Sequence, residues 1–92
     1  MAVSTRRTAR RRGEKSVGLA LRRQLIDAVA ARIKRLGLSQ TRAAGILGIT
    51  APRLSLLVHG HAELFSLDAL VKLAAGLDLS VRLRVTRPYK IE

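Results

Sequence analysis

Two short segments, Gln40 to Leu47 and Ala51 to Val58, constrain this fold more than any other feature of the chain. Ser39 precedes the first and Thr50 the second. A hydroxyl in that place accepts a hydrogen bond from an unpaired backbone N–H of the first helical turn. Gly48 and Gly60 follow them, and glycine is the usual residue where a helix closes in a left-handed turn. Pro52 fits the second segment only because it lies in the first turn, where its missing N–H has no intrahelical partner. Helices this short are unstable by themselves in water. The two must therefore pack against each other and against a larger body. Ala43, Leu47, Leu54 and Leu57 supply apolar contacts, Ala44 is small where the helices cross, and Ile49 plugs the corner.

The flanks provide that body. Leu21, Leu25, Val29, Ile33 and Leu36 recur at intervals of three and four, with Ile26 and Ala30 beside them, which predicts a helix from about Gly18 to Leu36 closed by Gly37. Ser66 caps a fourth helix reaching about Ala75, with Asp68 near its positive end, a Phe65–Leu70 hydrophobic staple and Gly76 as the stop. The period then drops to two. Leu79, Val81, Leu83 and Val85 alternate with Ser80, Arg82, Arg84 and Thr86, the pattern of a β-strand. The expected organisation is a disordered basic arm over 1–16, a helical domain over 17–76, a strand over 77–86 and a tail over 87–92.

Charge narrows the function. Eighteen Lys and Arg against six acids give a net charge of +12 on 92 residues, which favours a polyanionic partner through attraction and counterion release. Arg6, Arg7, Arg10, Arg11 and Arg12 concentrate that charge in the arm, a candidate groove contact. Phe65 and Tyr89 are the only aromatics, which argues against modules that stack unpaired bases. No stretch reaches the ~20 apolar residues that span a bilayer, so no membrane association is expected. The absence of cysteine suits a reducing cytoplasm. No phosphate-cradling loop, nucleophile elbow or paired carboxylate appears, so no enzyme and no cofactor are expected. His59, His61 and Glu63 lack the further ligands that a closed metal shell needs, and no metal site is expected.

The stretch QTRAAGILGITAPRLSLLVH, Gln40 to His59, resembles the helix-turn-helix unit of the XRE/Cro/lambda-repressor-like family. The resemblance extends over roughly Leu21 to Gly76. It implies a mainly α fold, a four- to five-helix bundle with the motif as its second and third helices. It also implies that the chain binds double-stranded operator DNA. By that resemblance Gln40, Thr41 and Arg42 open the first motif helix against phosphate. Thr50, Ala51, Arg53, Ser55, Leu56 and His59 are presented by the recognition helix. Arg53 is the best base reader, because a guanidinium can grip guanine O6 and N7 together. Ala51 departs from the polar residue that many members carry, so direct readout is thin, and the arm is expected to add contacts in a narrow minor groove.

A lone strand leaves its backbone groups unpaired. Pairing of Leu79, Val81, Leu83 and Val85 with the same strand of a second copy yields a homodimer whose recognition helices lie ~34 Å apart, one DNA turn. A compact domain followed by an LSVRLRV-type strand looks like the HigA-type antitoxins, which implies a repressor of its own operon that also neutralises a cognate toxin. A stand-alone regulator and a nonspecific basic nucleic-acid-binding protein are the alternatives.

Overall fold

The computed structural model describes the backbone of residues 2–86 and the side chains of residues 18–86. Its elements are α1 (Ala2–Arg35), α2 (Gln40–Leu47), α3 (Ala51–Val58), a 3-10 turn (Ala62–Leu64) and α4 (Leu67–Gly76). The boundaries of α2 and α3 are those the capping residues predict.

The start of α1 is not. The expected disordered arm is part of the helix, which runs back to Ala2. Apolar periodicity marks only helical segments with a regular apolar stripe, and the sequence of residues 2–17 has none. The arm contains no proline, and its many Arg, Ala, Glu and Lys, of high helix propensity, outnumber Gly13 and the weaker formers Val3, Ser4, Thr5, Thr8 and Ser16. The packed part of the helix matches the expectation better. Ile26, Val29 and Ile33 are buried, Leu25 is packed against the core, and Leu36 turns out to solvent.

Each of the four helices ends in the same closure, an N–H directly after a left-handed residue reaching back five residues to a carbonyl of the last turn. The bonds are Leu38 to Ile33, Ile49 to Ala44, His61 to Leu56 and Leu79 to Ala74, at 2.9 to 3.1 Å. Gly37, Gly48 and Gly60 occupy the left-handed position of the first three. The fourth corrects the sequence reading: the stop after α4 is Asp78, at φ 62°, and not Gly76. Aspartate tolerates this conformation better than most side chains. Gly76 lies inside the helix, where an added Cβ would come within 3.1 Å of a Leu47 methyl, so its role is close approach of α2 and α4.

Thirteen apolar residues form one buried cluster. Ile26, Val29 and Ile33 of α1 meet Ala43 and Ala44 of α2, Leu54 and Leu57 of α3, and Leu70, Leu73 and Ala74 of α4. Ala62, Phe65 and Leu77 close the gaps from the connecting segments, and Phe65 joins Leu70 in the cluster as the staple requires. Two arginines of α1 secure the connections. Arg22 donates from Nη1 to the Phe65 carbonyl at 3.3 Å, and Arg32 donates from Nε to the Leu77 carbonyl at 2.9 Å.

No strand forms among the described residues after α4. The alternating pattern is real, but a strand exists only beside a partner, and the helices of one chain have already paired their backbone groups internally. Leu79 packs on the core, while Val81, Leu83 and Val85 are 41%, 68% and 84% exposed. This segment borders an apolar groove of about 340 Å³ whose other walls include Leu21 and Leu25 of α1 and Val71 of α4. The expected tail at 87–92 lies outside the described residues.

The turn between α2 and α3 offers a direct check of local strain. Gly48 has φ 70° and ψ 30°, which any other L-residue adopts at a cost of roughly 1–2 kcal/mol. Nothing would touch an added Cβ there, so the conformation alone sets the penalty. Gly48→Ala is expected to lower the melting temperature by about 4–8 °C per kcal/mol lost, measured by circular dichroism.

Candidate nucleic-acid interface

The start of α2 is shaped by Ser39, whose Oγ accepts from the Arg42 N–H at 3.1 Å. Thr50 does the same for α3, its Oγ1 accepting from the Arg53 N–H at 3.3 Å. Leu54 and Leu57 are fully buried and hold α3 to the body by one side. The opposite side faces solvent. Arg53, Leu56 and His59, three residues apart, follow one exposed stripe, with Thr50 and Ala51 exposed at its start and Ser55 half-buried beside it. Gln40, Thr41 and Arg42 are exposed at the start of α2. The two helices are packed together through Ala43, Ala44 and the Ile49 corner. The side chains of Arg6, Arg7, Arg10, Arg11 and Arg12 lie outside the described residues.

The electrostatics of this surface are one-sided. No acidic residue occurs in the sequence between Asp27 and Glu63, so α2 and α3 carry only positive side-chain charge. Such a surface attracts phosphate.

Three arginine side chains bind main-chain carbonyls. Arg53 does not extend into solvent: its guanidinium carbon lies 4.3 Å from the Phe65 ring centroid, and Nη2 donates to the Leu64 carbonyl at 3.2 Å. Arg22 and Arg32 of α1 hold the carbonyls of Phe65 and Leu77. No sequence signal marks these arrangements, because they depend on loop carbonyls that the fold brings near α1 and α3. His59 Nδ1 donates to the Ser55 carbonyl at 2.7 Å and lies 3.4 Å from the Ser55 hydroxyl. His61 Nδ1 sits 3.7 Å from the Glu63 carboxylate. Among the described residues no three ligating side chains gather, and no helix is long and apolar enough to cross a membrane.

A family model described as a helix-turn-helix domain matches residues 14–86. The chain belongs to this helix-turn-helix family. It is also similar to a solved structure described as an XRE family transcriptional regulator, with 32% identity and a TM-score of 0.75 over 85% of this chain and 89% of that one. No curated protein matches the sequence. The protein is thus a helix-turn-helix regulator of the DNA-binding class, with α3 in the place of the recognition helix. The family match runs past α4 to residue 86.

Proposed function

We propose that this regulator represses transcription as a homodimer on a palindromic operator, and that it is the cytoplasmic antitoxin of a type II toxin–antitoxin operon, repressing its own promoter and neutralising a toxin. The observation that carries the repressor reading is the exposed, acid-free face of α2 and α3, held on a domain of the helix-turn-helix family. Gln40, Thr41 and Arg42 approach the phosphates. Thr50, Ala51, Ser55, Leu56 and His59 enter the major groove, where Ala51 and Leu56 offer apolar contact to thymine methyls.

The dimer reading rests on the segment after α4. Val81, Leu83 and Val85 are exposed, Val81 and Leu83 line an apolar groove, and the backbone between them lacks a strand partner among the described residues. A second copy of the same segment meets both needs at once, through a two-stranded ribbon about a two-fold axis. The antitoxin reading rests on the likeness of this arrangement to the HigA type.

Binding to the region upstream of the gene is expected to exceed binding to random duplex by about a thousandfold or more at physiological salt. Equal affinity for both would leave a nonspecific basic protein. Sedimentation at tens of micromolar is expected to show a dimer, and Leu83→Glu a monomer. Co-purification with the product of an adjacent RNase-like gene supports the antitoxin reading, and failure of that product to bind leaves a stand-alone regulator.

A further inference from the structure

We propose that Arg53 positions the recognition helix and holds one DNA phosphate, and does not read a base. This rests on the helix-turn-helix reading above and assigns a role within its site. Two consecutive carbonyls between the 3-10 turn and α4 accept arginine donors from different helices: Leu64 from Arg53 of α3, and Phe65 from Arg22 of α1. The ring between them is buried, and the Arg53 guanidinium covers one of its faces. Arginine thereby joins α3, α1 and the start of α4 at one point.

A guanine reader needs both prongs of its fork free and its side chain stretched along the groove. For Arg53 that pose breaks the bond to Leu64, uncovers Phe65 and leaves a carbonyl to find another donor. The free energy of the interactions so broken is of the same order as that of one bidentate bond to guanine. In the docked pose the residue is still exposed, and Nη2 is the guanidinium nitrogen bonded to Leu64, which leaves its other N–H groups for a phosphate oxygen to accept. A residue held this way contributes to affinity for all sequences equally.

The test is selection of binding sites from randomised 20-base-pair duplexes with the full chain and with Arg53→Ala and Arg53→Lys. Affinity for the wild-type-selected duplex is then measured across 50–200 mM salt, and melting temperature without DNA. Arg53→Ala is expected to select the same motif, to bind about tenfold more weakly and to show a salt slope shallower by about one. It should also melt a few degrees lower. Arg53→Lys restores the slope, because it keeps the charge, but not the melting temperature, because ammonium lacks the planar grip. A motif from Arg53→Ala that loses one base preference per half-site overturns the proposal in favour of base reading. An unchanged salt slope overturns the phosphate contact. A wild-type chain that selects no motif overturns the repressor reading itself, whatever the variants do.

Discussion

Leu54→Ala is expected to unfold much of the domain at 37 °C. Leu54 is fully buried in the middle of α3, packed in the cluster that α1 and α4 share. Truncating such a leucine removes its transfer free energy and leaves a cavity, at a cost of roughly 2–5 kcal/mol. A domain of this size has only about 5 kcal/mol to lose. The melting temperature should fall by about 8–40 °C, at 4–8 °C per kcal/mol, and operator binding at 37 °C should fall with it. Leu36→Ala is the informative control. Sequence spacing places Leu36 on the apolar stripe of α1, yet it is 46% exposed, so its loss should cost well under 1 kcal/mol. Equal effects of the two substitutions would contradict the packing described above.

Removing residues 1–17 should weaken DNA binding more than any single substitution on the exposed face of α3. That stretch holds Arg6, Arg7, Arg10, Arg11, Arg12 and Lys15, six of the eighteen basic residues. Each phosphate neutralised contributes about 0.9 to the salt slope. If half of these side chains reach phosphate, the slope becomes shallower by about three and affinity near 50 mM salt drops by about a hundredfold. A helix about 10 Å across does not enter a minor groove about 6 Å wide, so an arm that stays helical is expected to lie along the phosphates, whereas an arm in the minor groove has to unwind. Fluorescence anisotropy with the full-length and truncated chains over a salt series decides the point. Unchanged affinity and slope would remove the arm from the interface.

How much of this could be read in the residues depends on the range over which each feature is determined. The bounds of α2 and α3 follow from Ser39, Gly48, Thr50 and Gly60, because a cap is a bond between neighbours in the chain and needs nothing distant. The buried sets Ile26, Val29, Ile33 and Leu54, Leu57 follow from periodicity, since one face of each helix has to meet the others. Positive charge pointed to a polyanionic partner, and the resemblance of Gln40 to His59 to the helix-turn-helix unit pointed to DNA.

Other features needed the third dimension. The helicity of residues 2–17 carries no apolar signature, because it is a matter of propensity and continuity with the packed part of α1. The Asp78 closure was hidden by the neighbouring Gly76, whose real constraint is a methyl of Leu47 on another helix. The alternation of Leu79 to Val85 is a local property of the sequence, whereas a strand is a property of two segments, and one chain presents only one. Arg53 makes the same point at the site itself. Sequence alone determined that a guanidinium stands at the start of the recognition helix. The tertiary structure decided what it does there, because the Phe65 ring and the Leu64 carbonyl arrive from twelve and eleven residues further along the chain, and only packing brings them beneath it.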